Sequence, residues 1–160
     1  MISFDPNLRP YAIKDKVQAK NRVLRLLKLV NMAKLSLQDL VFLTGQKDPK
    51  KGLRKLKKQF KCEFILTLGA DGSIYLDHRG NFIKVPAFKV KVADTIGAGD
   101  AFTAGLIYRL IEQGRAKFFA NMKSNMTFAT AVSAIICTKP GSNQALKGIK
   151  QVNSFLTKNR

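Results

Sequence analysis

Histidine is almost missing from this 160-residue chain: His78 is its single example, and it sits beside Arg79, Gly80 and Asn81 in a polar turn. A histidine-dependent catalytic triad elsewhere in the chain is therefore excluded. Cysteine is nearly as scarce. Cys62 and Cys137 each lie in an apolar stretch, with no Cys-x-x-Cys and no histidine nearby, so they read as buried free thiols rather than metal ligands. No apolar run approaches the roughly 18 residues that a membrane-spanning helix needs. The opening Met1-Ile2-Ser3-Phe4-Asp5 has neither the basic start nor the apolar core of a signal peptide, and the expected location is the cytoplasm. Two nucleotide motifs are absent as well. There is no Gly-x4-Gly-Lys-Ser/Thr, and Phe102 stands where a dinucleotide fingerprint wants Gly or Ala.

Acidic residues are the other shortage. Ten Asp and Glu face 29 Lys and Arg, leaving a net charge of +19. The excess concentrates in the first half, where lysines follow one another from Lys47 to Lys61, and such a field attracts anions, nucleotides and nucleic acids included. Within Pro49–Phe60, however, Leu53, Leu56 and Phe60 keep helical spacing and the lysines take the other positions, as on the solvated face of an amphipathic helix. No RNA-stacking pattern or zinc module accompanies the charge, so nucleic acid is not the expected partner.

What is present is the composition of a soluble globular domain, with 46% apolar and 24% charged residues and no internal repeats. Ile2–Phe4 reads as a strand, Lys14–Leu29 as a helix with Val23, Leu26, Leu27 and Val30 on one face, and Val30–Leu35 as the next strand. Ser36 opens a helix through Leu43 that Gly45 ends. Cys62–Leu68 is nearly continuous apolar sequence, as in a strand buried on both faces. Ser73–Leu76 and Phe82–Val85 form a hairpin around His78–Asn81, and Phe88–Val92 alternates apolar and basic residues as a half-buried strand does. Helices then run to Leu156. The pattern predicts an α/β layered fold with a mainly parallel sheet over residues 1–157, with 158–160 as a tail.

The stretch Asp94-Thr95-Ile96-Gly97-Ala98-Gly99-Asp100-Ala101-Phe102-Thr103-Ala104-Gly105 joins the last of these strands to a helix. Glycines at 97 and 99 allow a tight or left-handed bend and let an anion approach the backbone N–H groups closely. The first N–H groups of the helix lack partners and lie at the positive end of its dipole, a ready seat for phosphate. Asp100 falls in the first helical turn. It either complements the dipole, with Thr95 as a cap, or serves as a base that takes a proton from a hydroxyl attacking phosphorus.

Over its whole length this string resembles the C-terminal signature of the ribokinase/PfkB carbohydrate kinase family. The resemblance implies a ribokinase-like layered α/β/α fold, of which the chain would hold the C-terminal nucleotide and catalytic-base portion, without the N-terminal half and its lid. Phe-Asp-Pro-Asn-Leu-Arg-Pro is similar to the segment that opens the nucleotide-side half of fructokinase-type members. Asn7 and Arg9 would lie towards the transferred phosphate. Thr-Leu-Gly-Ala-Asp-Gly resembles the nucleotide loop, which places Thr67, Gly69 and Gly72 at ATP. The segment from Met126 to Ser142 resembles the adenine-side helix and its closing loop, bringing Thr130 and Gly141 to the nucleotide. Thr130 replaces a common Asn, and Lys147 falls where a Pro often follows.

By the same resemblance Asp100 is the base, and Gly97, Ala98 and Gly99 form the anion hole. Asp94 and Ile96 would hold a monovalent cation such as K+. The family's Lys-x-Asn-x-x-Glu motif reads here Lys34-Leu35-Ser36-Leu37-Gln38-Asp39, so Asp39 is either a magnesium ligand or, with Ser36 as N-cap, the far side of a capping box. The implied activity is ATP-dependent phosphorylation of a sugar hydroxyl with Mg2+. A non-catalytic nucleotide-binding module stands as the alternative and a basic nucleic-acid binder as the third reading. An exposed sheet edge would lead the chain to pair with a second copy or with a complementing N-terminal half.

Overall fold

The computed structural model describes residues 1–141 and 146–159. Five strands and six helices follow one another: β1 (Ser3–Phe4), α1 (Lys16–Leu27), β2 (Met32–Ser36), α2 (Leu37–Thr44), α3 (Pro49–Lys57), β3 (Glu63–Thr67), β4 (Ser73–Leu76), β5 (Phe82–Val85), α4 (Ala98–Ala120), α5 (Met122–Cys137) and α6 (Ile149–Lys158). A single 3-10 turn, Gly69–Asp71, separates β3 from β4. The strands form one sheet in the order β1-β2-β3-β4-β5. β1 pairs parallel with β2, and β2 with β3 in the register Met32↔Glu63 to Ser36↔Thr67. The expected α/β architecture with a mainly parallel sheet is thus the observed one.

Contacts gather into two compact units, Met1–Leu68 with Ile74–Ile83, and Gly69–Ser73 with Lys84–Arg160. In the first, the core joins Val23 and Leu27 of α1, Leu40 and Leu43 of α2, Leu53 and Leu56 of α3, and Ala33, Leu35, Phe64 and Leu66 of the sheet. β2 and β3 are almost wholly buried, which is why their sequences run apolar rather than alternating. Helix ends follow local chemistry. Asp15 and Asp48 each accept a first-turn N–H, from Gln18 and Lys51, and Gly45 closes α2 in the left-handed conformation at φ 73°. In the second unit Phe128, Ala131, Val132 and Ile135 of α5 pack with Val152 of α6, and Phe88 meets Phe155 edge-on with ring centroids 5.1 Å apart.

Several expectations need correction. Phe88–Val92 is extended but belongs to no ladder. Its alternation reflects Phe88 packing on Phe155 while Val92 stays 56% exposed, and without a hydrogen-bonded neighbour an alternating segment is not a strand. Leu26 lies off the buried face of α1, at 43% exposure, because that face is centred on Val23 and Leu27 and is filled out by Leu24 and Val30. α1 is also shorter than expected, since Asp15 is its cap. Cys62 is buried as expected, but Cys137 at the end of α5 is only half-buried. Lys158 is the last residue of α6 rather than tail, and Arg160 lies outside the described residues. α4 begins at Ala98, and its 23-residue run is broken at Gly114 (φ 72°, ψ 163°).

Candidate active site

In the second unit, the glycine-rich loop delivers what its composition calls for. Gly97 is the N-cap of α4 at φ 79° and ψ −5°, a left-handed conformation costly for any residue with a Cβ, and no side chain caps the helix. Ala101 N–H donates to Gly97 O at 2.8 Å, which starts the helical ladder, and Ala98 N–H donates to Thr95 O at 3.2 Å. The N–H groups of Gly99 and Asp100 stand in the first turn, where no intrahelical carbonyl reaches them. Of the groups that the resemblance implies for the anion hole, Ala98 N–H is taken up by Thr95 O in the turn. Asp100 is solvent-exposed in that same turn. Thr95 does not act as a side-chain cap, so the simple capping reading of the loop is not what forms.

Asp94 closes the loop. Its Oδ1 accepts from Ile96 N–H at 2.9 Å and its Oδ2 from Gly141 N–H at 3.1 Å. These two donors, Ile96 first, hold its pKa below the usual carboxylate value. Ala93 and Asp94 N–H both donate to Cys137 O, at 2.8 and 3.3 Å, and Ser133 Oγ donates to Ala98 O at 2.9 Å. α5 thereby grips both ends of the loop. Ser133 was not among the residues marked by sequence, and a serine in a small-residue helix carries no signal that would single it out. Gly141 is left-handed at φ 78°, and its neighbour Ser142 lies outside the described residues.

The nucleotide-loop glycines have separate reasons. Gly69 (φ 60°) has open space around its absent Cβ, so only its backbone conformation demands glycine. At Gly72 (φ 87°) a Cβ would lie 2.1 Å from Val85 O and 2.8 Å from Ala87 N. What excludes a side chain at Gly72 is the chain's own backbone, not an approaching nucleotide. Thr130 is buried, and its Oγ1 donates back to Met126 O at 2.8 Å, so the hydroxyl that stands for the expected Asn is spent within α5.

In the first unit, the Asp5–Pro10 turn carries Asn7 and Arg9. Asn7 is the one non-glycine residue with positive φ, 43°, among the described residues. Arg9 Nη1 donates to Asn7 Oδ1 at 2.5 Å and to Asn7 O at 3.1 Å. Asp39 lies beneath the turn, 2% exposed. Its Oδ1 accepts from Leu8 N–H at 2.9 Å, and its Oδ2 accepts from Ser36 N–H at 2.7 Å and Ser36 Oγ at 2.6 Å. This is the capping box, reciprocated by Asp39 N–H to Ser36 Oγ at 3.1 Å. Both carboxylate oxygens accept hydrogen bonds from protein donors, as the capping-box reading of Asp39 expects. Among the described residues no group of three His, Cys, Asp or Glu is placed to hold a metal. Thr67 Oγ1 donates to Leu35 O at 3.3 Å at the end of β3.

Lys34 supplies a feature that sequence reasoning passed over. It is 6% exposed on β2 and pairs with Asp5 Oδ2 at 2.6 Å. A lysine inside an otherwise apolar buried strand was the available signal, since such a charge is retained only with a partner.

Parallel strands alternating with helices, and a glycine-led helix N-terminus with an exposed carboxylate in its first turn, define an α/β protein with an open helix start. The profile of the pfkB family carbohydrate kinases matches residues 1–147, and the chain belongs to that family. A fructokinase of Salmonella thompson is 30% identical over 152 residues, covering 95% of this chain and 69% of the relative. A double mutant of the Vibrio cholerae O395 fructokinase, solved with fructose, ADP and potassium ion, superposes with a TM-score of 0.86 at 32% identity, over 96% of this chain and 49% of that one. Salmonella enterica aminoimidazole riboside kinase, solved with aminoimidazole riboside and an ATP analog, gives 0.84 at 30% identity, over 96% and 51%. The chain spans about half the length of these solved structures and of most of the curated relatives it matches. Among the described residues no helix is long and apolar enough to cross a membrane.

Proposed function

We propose that this chain carries the phosphoryl-transfer part of an ATP-dependent sugar kinase of fructokinase type. The observation that carries the proposal is the start of α4, where the N–H groups of Gly99 and Asp100, without a hydrogen-bond acceptor among the described residues, and the exposed Asp100 carboxylate share one turn. These N–H groups would stabilise charge on the transferred phosphoryl group. Asp100 would take the proton of a sugar hydroxyl as its oxygen bonds to the γ-phosphorus and the bond to the departing ADP breaks. Within the second unit Gly69, Gly72, Thr130 and Gly141 are the residues proposed for the nucleotide; within the first, Thr67 is proposed for ATP and Asn7 and Arg9 for a phosphate group. Magnesium would enter with ATP, since Asp39 is already satisfied by Leu8 and Ser36. For a monovalent cation, K+ by analogy with the Vibrio cholerae fructokinase structure, Asp94 and Ile96 are the proposed ligands.

β1 is a two-residue strand at the end of the sheet, with Met1 45% and Ile2 56% exposed beside it. Such an edge favours association with a second copy or with a chain that supplies further strands. Light scattering on the purified chain, alone and mixed with the remaining portion of a fructokinase, tests this; a monomer in both conditions refutes it.

The test of function is coupled ADP release over a sugar panel led by fructose, comparing wild type with Asp100→Asn. Removal of a general base is expected to lower turnover by about 10²-fold or more. Equal background rates in the two proteins refute the kinase assignment. ATP binding without turnover in either supports the non-catalytic nucleotide-binding module instead. DNA or RNA binding that falls steeply with salt and survives saturating ATP would instead support the nucleic-acid reading.

A further inference from the structure

We infer that Asp39 is a positioning residue for Arg9, acting through the backbone of Leu8. The inference rests on the kinase reading for its phosphate ligand, but its mechanical part stands on geometry alone. The Asp5–Pro10 turn is fastened at two points. At one end the Lys34–Asp5 pair ties it to β2 at 2.6 Å, and in the middle Leu8 N–H donates to Asp39 Oδ1 at 2.9 Å. Asp39 is itself locked, since its Oδ2 takes both the N–H and the hydroxyl of Ser36 at the start of α2. A buried carboxylate that bridges a helix cap and a separate turn transmits the rigidity of the helix to that turn.

Arg9 shows what is being held. Its Nη1 is shared among Asn7 O, Asn7 Oδ1 and Leu8 O, all within the turn. Arg9 is exposed and its guanidinium is pinned by one nitrogen, with no hydrogen bond from Nη2 or Nε among the described residues. A planar guanidinium pinned in this way presents its other donors at fixed geometry to a bidentate oxyanion such as a phosphoryl group. Asn7 at φ 43° gives the turn a left-handed step, which asparagine tolerates better than most residues with a Cβ.

Three variants separate clamp from cap. Asp39→Ala removes both roles, Ser36→Ala weakens the cap but leaves Asp39 facing Leu8, and Arg9→Ala removes the guanidinium. Amide hydrogen exchange at Leu8 is expected to be slow in wild type, Ser36→Ala and Arg9→Ala, and fast in Asp39→Ala. The preference for ATP over AMP, measured by calorimetry with and without Mg2+, is expected to fall about tenfold in Arg9→Ala and equally in Asp39→Ala. The double variant should be no worse than Arg9→Ala alone. Persisting Leu8 protection in Asp39→Ala overturns the clamp. Additive losses in the double variant, or a loss in Asp39→Ala seen only with Mg2+, overturn the positioning role and return Asp39 to the ion. If wild type shows no preference for ATP over AMP, the phosphate role of Arg9 fails together with the kinase reading, while Leu8 exchange still decides the clamp.

Discussion

Gly105 ends the signature stretch, and replacing it with alanine tests whether that stretch is fastened to its neighbour as the structure shows. In an open helix the change is favourable, by up to about 1 kcal/mol, because glycine is the poorer helix former. Here the added Cβ would stand 2.9 Å from Ala129 Cα and 3.3 Å from both Ala129 Cβ and Val132 Cγ2. The nearest of these is backbone, and Ala129 is fully buried, so relief requires moving α4 away from α5 rather than turning a side chain. Overpacking of this kind costs about 1–3 kcal/mol, and with backbone as the obstacle the upper part of that range applies. Set against the propensity gain, the net loss is about 1–2 kcal/mol, or roughly 3–6 °C in Tm for a chain of this size. Urea unfolding followed by circular dichroism should show a lower midpoint with an unchanged slope. A variant as stable as wild type, or more stable, would refute the close helix contact and with it the reason given for glycine at the end of the motif.

Gly72→Ala should destabilise more than Gly69→Ala, since both need a left-handed backbone worth about 1–2 kcal/mol but only at Gly72 would the Cβ meet backbone, 2.1 Å from Val85 O; equal urea midpoints would contradict this. Asp94, held below the usual carboxylate pKa by Ile96 and Gly141 N–H, contributes stability that is fully present above the unfolded value of about 3.9 and lost as pH falls through the lowered folded value. The Gly141 amide shift followed by NMR should therefore titrate below about pH 3.9, and a midpoint at or above that value would sink the assignment. Burial pushes the Cys62 thiol up to about 11, while half-buried Cys137 is also raised, by burial and by Asp94. Iodoacetamide near neutral pH should label Cys137 before Cys62 by mass mapping, and the reverse order would show that the Cys62 pocket is open.

Legibility in the sequence followed the range of the interaction. Elements set by their own residues were readable: Ser36 and Gly45 bound α2 as their capping chemistry requires, and the apolar run at β3 is buried on both faces. Phe88–Val92 misled because alternation reports which side chains are covered, and says nothing of whether a neighbouring strand supplies hydrogen bonds. The close approach at Gly72 could not be read in advance, since the nearby backbone of Val85–Ala87 is invisible until the hairpin is built. Asp39 shows the same limit. Its capping partner is three residues away and was weighed from the sequence, whereas its second partner, Leu8, is 31 residues distant and could not be. Residues whose roles depend on a single long-range hydrogen bond, Ser133 on Ala98 among them, leave no periodicity to read.

The placement of charge explains why the seat is built from backbone. The chain carries a net +19, yet from Asp94 to Gly105 there is no Lys or Arg, only the two carboxylates of Asp94 and Asp100. A lysine within that segment would strengthen anion binding but would also pair with Asp100, holding it ionised and lowering its affinity for a proton. Backbone N–H groups at a helix start attract phosphate as dipoles fixed in position and offer Asp100 no mobile cation. The neighbouring carboxylate, Asp94, is occupied by the N–H groups of Ile96 and Gly141, which leaves Asp100 as the exposed acid of the loop. The excess of lysine in the chain raises the concentration of anions at long range, screened by salt, while Asp94 to Gly105 offers an anion only backbone donors at short range.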